Sequence, residues 1–331
     1  MRVLILHDEV GEGAASDAVD VFDQAAVIEE ALSSGGARCT RMGVGLDLRG
    51  AAEAIGRSDL VVNLVESLGG RGSLIHLVPA LVEAIGRPMT GCPALAIALT
   101  SNKLDAKAVL ARCGIDTPAW HEFGAAKPNR GKWIIKSVWE HASIGLGPWS
   151  IVDAGERDLN EAILGAAPSL GGRAFAERFV DGREFNLSLL ETESGVAVLP
   201  PAEIEFVGYA EGRPRIVDYA AKWDISSDAY RNTPRSFEFD ASEGPLLDRL
   251  RSMALRCWST FGLSGYARVD FRVDGAGRAW VLEVNTNPCL ARDAGFLAAA
   301  ERGGYSSEQV VGELVRAALA KKDAPCSGFA R

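Results

Sequence analysis

Alternation of apolar and polar positions is clearest between Gly265 and Leu290, GYARVDFRVDGAGRAWVLEVNTNPCL. Two alternating runs, ARVDFRV and AWVLEVN, flank the turn-forming DGAG of Asp274 to Gly277, which predicts a β-hairpin with a short glycine-containing loop. With Val273 set opposite Trp280, one face carries Ala267, Val269, Phe271, Trp280, Leu282 and Val284 and is apolar. Arg268, Asp270, Glu283 and Asn285 take the other face, Asp270 directly across from Glu283 and Arg268 across from Asn285. Carboxylates placed opposite each other repel, so sheet stability does not explain the pair. A hard cation between them removes the repulsion, and two carboxylates with an amide oxygen suit Mg²⁺ shared with phosphate. Taken alone, the same face also reads as solvated mixed charge.

Upstream the pattern changes to apolar runs separated by helical spacing. Arg2-Val-Leu-Ile-Leu6 reads as a buried strand, Phe22 to Leu32 as a helix closed by Ser33-Ser34-Gly35-Gly36, and Cys39 to Val44 as a second strand. A short helix at Ala51 to Ile55, a third apolar run from Leu60 to Val65, the glycine-rich SLGGRGS and a helix from Leu77 to Ile85 follow. This βαβαβα rhythm predicts an open parallel sheet of about a hundred residues. Its ligand side is the carboxyl ends of the strands, near His7 and Glu66. Gly69, Gly70 and Gly72 suit either close approach to an anion or a plain turn.

A new unit begins near Thr100, where Ser101-Asn102 caps a helix KLDAKAVLARC that Gly114 and IDTP stop. Lys103 lies in its first turn and Lys107 one turn later; solvation is the ordinary state of such lysines. Lys136 closes the apolar run from Lys132, and Ser143, Gly145 and Gly147 form a loop before the next strand. A lysine followed by small residues can cover a phosphate, because glycines let backbone N–H groups reach oxygen. The strand Ala174 to Glu177 runs into a turn and out into FNLSLLE. Its end, with the backbone of Arg178 to Val180, can read an adenine edge and Glu184 can hold ribose hydroxyls; both acids also read as strand ends in water. A strand from Val198 to Glu205, a short motif from Asp218 to Trp223, and helices at Pro245–Phe261, Leu297–Arg302 and Ser307–Lys321 complete the pattern, with fraying beyond about residue 323.

Composition narrows the function. The 331 residues suffice for two or three packed units, and 47% hydrophobic with 24% charged residues is ordinary for a globular protein. A net charge of −9 argues against non-specific nucleic-acid binding. No apolar run reaches membrane-span length, and Met1 leads straight into VLIL without a signal-peptide layout. Six cysteines without paired spacing fit a reducing cytoplasm better than a zinc site or a disulfide frame.

In order along the chain, RPMTGCPALAIALTSNKLDAK, WIIKSVWEHASIGL, AERFVDGREF, LPPAEIEF, VDYAAKW, GYARVDF and LEVNTNP together resemble the ATP-grasp superfamily, most closely the D-alanine–D-alanine ligase group. The resemblance implies a mixed α/β and α+β architecture. It comprises an N-terminal open parallel α/β (pre-ATP-grasp) domain at 1–100, a central subdomain at 101–183 and a C-terminal subdomain at 184–325, with ATP between the latter two. It implies Lys103 and Lys136 as nucleotide lysines, Glu177 and Val180 as adenine contacts, and Glu184 as the ribose contact. Asp270, Glu283 and Asn285 match the Mg²⁺ ligands that the hairpin parity suggests, with Mn²⁺ able to substitute. Arg268 matches the arginine that steadies an oxyanion, Lys222 a lysine near the γ-phosphate, and Ser143 the second serine of a paired-serine loop. The implied partners are small molecules, a carboxylic acid and an amine, with neither nucleic acid nor membrane; family members often form homodimers. The implied chemistry passes through an acyl phosphate, which the amine then attacks to form an amide.

Departures cluster where the family recognises substrate. The family's early serine–glutamate–valine–serine stretch has no counterpart in DEVGEGAASDAVDVF, the first loop serine is Ala142, and the tyrosine after the loop lysine is Trp223. After LEVNTNP, Cys289 replaces a glycine and LARDAGF replaces a segment with a serine–leucine pair. The expectation is an ATP-dependent carboxylate–amine ligase whose substrates are not two D-alanines. A genuine D-alanine–D-alanine ligase is the alternative within the enzyme class, and a nucleotide-binding regulatory protein without turnover the alternative outside it.

Overall fold

The computed structural model of the chain describes residues 1–11, 16–126, 129–140, 143–210 and 212–323. The expected fray beyond 323 and Ala142 lie outside the described residues, as does part of the early stretch that departs from the family. The first third contains β1 (Arg2–Asp8), α1 (Ser16–Ser34), β2 (Arg38–Val44), α2 (Arg49–Arg57), β3 (Leu60–Asn63), α3 (Leu77–Ile85) and α4 (Ala94–Ser101). β1 pairs in parallel with both neighbours, giving the order β2-β1-β3. Its apolar run is continuous because both faces are covered. Leu4 and Leu6 pack with Ile55, Val78 and Val82, and Val3 and Ile5 pack with α1. α3 spans the residues its periodicity predicts. The sequence pattern missed α4: ALAIALTS is apolar on nearly every side, and Ala96 and Ile97 enter the largest core. SLGGRGS forms a turn bridged between Leu68 and Arg71, and a Cβ on Gly72 would lie 2.8 Å from the Trp139 carbonyl oxygen. That glycine is required by packing.

The middle third contains α5 (Lys103–Arg112), β4 (Trp120–His121), β5 (Lys132–Ser137), β6 (Ile151–Asp153), α6 (Leu159–Ala166) and β7 (Ala174–Arg178). Its four strands form an antiparallel sheet in the order β4-β7-β5-β6, with α6 packed on Trp133, Ile135 and Ala176. Asn102 caps α5 as predicted, its side chain accepting from the Leu104 and Asp105 amides at 3.1 and 3.4 Å.

The last third contains β8 (Gly182–Thr192), β9 (Gly195–Val198), β10 (Ala202–Ile204), α7 (Tyr219–Trp223), α8 (Asp228–Arg231), β11 (Arg235–Ser236), α9 (Gly244–Phe261), β12 (Tyr266–Asp274), β13 (Ala279–Asn285), α10 (Gly295–Arg302) and α11 (Ser307–Asp323). The sheet runs β11-β10-β8-β12-β13, with β9 also on β8. The single strand expected from Val198 to Glu205 is interrupted: Pro200 and Pro201 lack amide hydrogens, so the chain pairs with β8 in two separate pieces. Phe185, Leu187, Leu189, Ala267, Val269 and Phe271 are fully buried, in one core with Leu250, Ala254 and Cys257 of α9. Strand alternation therefore leaves Glu184, Asn186 and Ser188 of β8 beside Arg272, Asp270 and Arg268 of β12 on the opposite face.

The hairpin register is half as predicted. Asp270 pairs with Glu283 and Arg268 with Asn285, but the turn end is shifted by one: Phe271 pairs with Val281, Arg272 with Trp280 and Val273 with Ala279. A bulge at Leu282 causes the shift. In consequence Val281 and Ala279 are the buried residues of β13's turn end, and Trp280 and Leu282 leave the apolar face. Leu282 and Glu283 both line the cavity described next.

Candidate active site

A cavity of about 720 Å³ lies between the four-stranded and the larger sheet, a size usual for a ligand site. Ten of the eleven predicted residues line it: Lys103, Lys136, Ser143, Glu177, Val180, Glu184, Lys222, Arg268, Asp270 and Glu283. Asn285 is absent from the lining; its Oδ1 accepts from the Asn287 amide at 2.9 Å. A carbonyl oxygen keeps a second lone pair, so ligation by Asn285 remains open to it.

At one end, antiparallel pairing of β5 with β7 sets Lys136 near the Glu177 position. The Glu177 side chain is buried, and Lys136 Nζ donates to its Oε1 at 2.6 Å. Lys107 Nζ stands 2.6 Å from Oε2, while its directed hydrogen bonds go to Thr117 Oγ1 at 2.8 Å and the Pro118 carbonyl at 3.0 Å. Oε2 is thus held by charge without a directed hydrogen bond. Burial works against the Glu177 anion, but the two ammonium groups outweigh it and hold the carboxyl below its usual range. Burial pulls the Lys107 ammonium down, against Glu177. Glu177 is therefore not the solvated strand-end acid, and its carboxylate serves the lysines instead of reaching outward. The backbone beside it keeps the expected opportunity: among the described residues the Val180 amide has no protein partner. Lys107 is a residue that sequence reasoning left on the surface; its one-turn spacing from Lys103 was the available signal.

The polar face of β8, β12 and β13 forms the floor. Arg268 holds Asp270 with Nε at 2.7 Å and Nη2 at 2.9 Å, and Asn186 Nδ2 donates to Asp270 at 2.8 Å. Burial opposes the Arg268 charge, yet Asp270 more than compensates and raises its pKa. Glu184 is ion-paired at 2.6 Å with the buried Arg272, which also donates to the Gly182 carbonyl. Lys103 Nζ lies 3.8 Å from Glu283 and donates to the Glu140 carbonyl at 2.7 Å. Burial lowers the pKa of Lys103 and of Lys222; Lys222 is lowered further by Arg268 and raised by Asp270, Glu283 and Glu184. Asn186 and Arg272 belong to this floor although the sequence did not single them out; the alternation of polar with fully buried residues along β8 marks the first. Among the described residues no three His, Cys, Asp or Glu side chains gather as a metal cage. Two opposed carboxylates with an amide nearby fit a hard cation that takes its other ligands from phosphate and water, as Mg²⁺ does. Four cationic side chains, Lys103, Lys136, Lys222 and Arg268, around that floor fit a polyphosphate.

Ser143 is the single described non-glycine residue with positive φ, at 60°, and its hydroxyl donates to the Val217 carbonyl at 2.8 Å. It latches the 143–147 loop to the segment preceding Lys222. Asp20, Trp223 and Cys289 also line the cavity. The Cys289 thiol donates to Asp20 Oδ2 at 2.9 Å, and burial with that carboxylate raises the thiol pKa. His7 and Glu66 do not line the cavity, but the strand ends they mark are drawn together: Asp8 accepts from the Glu66 and Ser67 amides and from the Ser67 hydroxyl. Burial, Asp8 and Asp20 push the Glu66 carboxyl up to about 8, against Gln24 and Lys222.

A family model described as D-ala D-ala ligase C-terminus matches residues 132–316. The chain belongs to the D-alanine–D-alanine ligase family. The D-alanine–D-alanine ligase of Pseudomonas entomophila (strain L48) is 31% identical over 320 residues, covering 94% of this chain and 91% of that protein. The solved structure of the D-alanine–D-alanine ligase from Bacillus anthracis complexed with ATP matches with a TM-score of 0.73 at 19% identity, over 97% of this chain and 98% of that one. That of the VanG D-Ala:D-Ser ligase from Enterococcus faecalis matches with a TM-score of 0.71 at 17% identity, over 96% and 99%. The fold is therefore the ATP-grasp fold, and this family member is an ADP-forming ligase with ATP and Mg²⁺ as cofactors. Among the described residues no helix is long and apolar enough to cross a membrane.

Proposed function

We propose that this D-alanine–D-alanine ligase family member joins an amino acid or related acid to an amine, and that its substrates are not two D-alanines. The observation that carries the reading is the wall formed by Cys289 and Asp20, whose side chains meet in the cavity at 2.9 Å. A thiol stands there where the family pattern has glycine, and Trp223 stands where it has a tyrosine hydroxyl. Exchanging polar partners in such a site changes substrate choice strongly. The 31% identity to the Pseudomonas entomophila enzyme favours the second reading, a genuine D-alanine–D-alanine ligase.

In the proposed mechanism the backbone beside Val180 receives the adenine edge, Glu184 the ribose, and Lys103 with Lys136 the phosphates. Lys107 and Glu177 fix where Lys136 can reach. Asp270, Glu283 and Asn285 would hold Mg²⁺, which supplies charge neutralisation on the phosphate oxygens. A substrate carboxylate takes up the phosphoryl group near Lys222, becoming an acyl phosphate. The amine then attacks the acyl carbon, Arg268 steadies the tetrahedral oxyanion, and phosphate leaves as the amide forms. Asp270 orients Arg268 for that task through its two hydrogen bonds. Ser143 keeps the loop in place over the reacting groups. We further infer three units, at 1–100, 101–183 and 184–325, the last boundary falling at the start of β8, and a cytoplasmic homodimer acting on small molecules.

The test is phosphate release from MgATP over pairs of D- and L-amino acids and amines, with mass detection of the product. Release with a pair other than two D-alanines, at a higher kcat/KM, supports the reading. Turnover confined to two D-alanines favours the second reading, and ATP binding without release across the panel contradicts both.

A further inference from the structure

On the polar face of β12, Arg268 and Asp270 have tasks in the proposed chemistry, whereas Arg272, the next residue of the same parity, takes no part in it. Arg272 is only 4% exposed, yet it lines the cavity. Pairing of β8 with β12 sets Glu184 directly across from it, and Nη2 stands 2.6 Å from Glu184 Oε2. Nη1 donates to the Gly182 carbonyl at 2.9 Å, and Nη2 also donates to the Arg215 carbonyl. The guanidinium carbon lies 5.3 Å from the centre of the Phe206 ring. One side chain thus joins the start of β8, the acid on that strand and the segment from 206 to 215. Stability does not account for it, because apolar residues in place of a buried ion pair are commonly neutral or stabilising. What the contacts supply is orientation. A planar fork held by two carbonyls, a carboxylate and a ring has one setting, and so does the carboxylate it holds.

We propose that Arg272 is a positioning residue for the nucleotide ribose: it orients Glu184 to accept from the 2′- and 3′-hydroxyls, and so makes the site prefer ribonucleotides to deoxyribonucleotides. A carboxylate has about four lone-pair sites, so pairing through Oε2 leaves Glu184 able to accept from both hydroxyls. An unheld glutamate carboxylate turns freely about its last torsion. Arg272 removes that freedom before the nucleotide arrives, which lowers the ordering cost of binding. The same guanidinium reaches further. Beyond the Arg215 carbonyl come Ile216, which lines the cavity, Val217, whose carbonyl accepts from Ser143, and Asp218, which caps the helix carrying Lys222. Glu184 is therefore tied, through Arg272, to the segment that latches the 143–147 loop. The assignment rests on placing ATP in this cavity with its ribose at Glu184.

The experiment measures binding of ATP, 2′-deoxyATP and 3′-deoxyATP, each with Mg²⁺, by isothermal titration calorimetry. The proteins are the intact chain, Arg272→Met, Arg272→Lys and Glu184→Gln. The intact chain is expected to bind ATP about ten- to a hundredfold more tightly than either deoxynucleotide, the range of a hydrogen bond to a charged group. Arg272→Met is expected to bring that ratio below about threefold, as Glu184→Gln does, because a carboxylate or amide without fixed orientation makes the weaker kind of bond. Arg272→Lys keeps the charge without the fork and is expected to fall between the two. If Arg272→Met weakens the nucleotides all by one factor and leaves the ratio intact, the residue only supports the fold and the assignment is overturned. Should that variant fail to fold, a parental ratio in Arg272→Lys overturns it instead. An intact chain that binds ATP and the deoxynucleotides equally removes the ribose from Glu184 and overturns it as well. The proposed substrates fail separately, in the phosphate-release panel, because nucleotide binding requires neither of them.

Discussion

Replacing Lys107 by methionine tests how the nucleotide end of the cavity is built. The ammonium is buried, 2.6 Å from Glu177, and donates to Thr117 and Pro118. Methionine is unbranched and adaptable, so lost volume contributes little and the change is chiefly one of charge and hydrogen bonding. Removing one member of a buried ion pair costs about 3–5 kcal/mol, and because Glu177 keeps Lys136 the lower figure, about 3 kcal/mol, is expected. At about 2.1 cal/mol/K per residue, 331 residues give an unfolding entropy of roughly 0.7 kcal/mol/K, so Tm should fall by about 4 °C. Lys136 then faces Glu177 alone and is held more firmly by it, so ATP affinity should fall as well. The assay is thermal unfolding of Lys107→Met, Glu177→Gln and the double variant, with and without MgATP. Coupling of at least about 1 kcal/mol between the two sites is expected. A Tm within about 1 °C of the parent, with additive single and double changes, would refute the triad.

Glu66 gives a pH signature. Its carboxyl is raised to about 8 in the fold, so between the ordinary value of about 4.3 and 8 the folded chain binds more protons than the unfolded one, and stability falls as pH rises through that window. Glu66→Gln should therefore raise Tm at pH 8.5 and leave it nearly unchanged at pH 5; equal effects at both would contradict the assignment. Glu283→Gln should abolish turnover with a Tm change under about 2 °C, because a partly exposed carboxylate on the cavity floor serves ligand more than packing; an unchanged rate would remove Glu283 from the metal site. Trp223→Tyr should alter substrate preference more than ATP affinity, and an effect confined to ATP binding would displace Trp223 from the acceptor end.

The parts of the fold legible in the sequence are those whose signal is local. The N-terminal parallel strands announce themselves by runs buried on both faces, α3 by its periodicity, and α5 by the Asn102 cap. Opposed Asp270 and Glu283 follow from strand parity at the end of the hairpin nearest the site. Parity fails toward the turn because the Leu282 bulge adds a residue to one strand, and nothing in AWVLEVN marks where twist is relieved. The α4 segment has no polar face to betray it, and Pro200-Pro201 divides a run that alternation alone joins. Lys107 shows in the sequence only by its one-turn spacing from Lys103, because its burial depends on Glu177, seventy residues away, meeting it across two elements.

The central claim is that this cavity converts a substrate carboxylate into an acyl phosphate before amide formation. It is tested most directly with a carboxylate substrate labelled with ¹⁸O on both oxygens, MgATP and the amine, followed by mass analysis of the released phosphate. Phosphate carrying one labelled oxygen per amide formed is the expected result. Unlabelled phosphate accompanying a fully labelled carboxylate, or release of AMP in place of ADP, would contradict it.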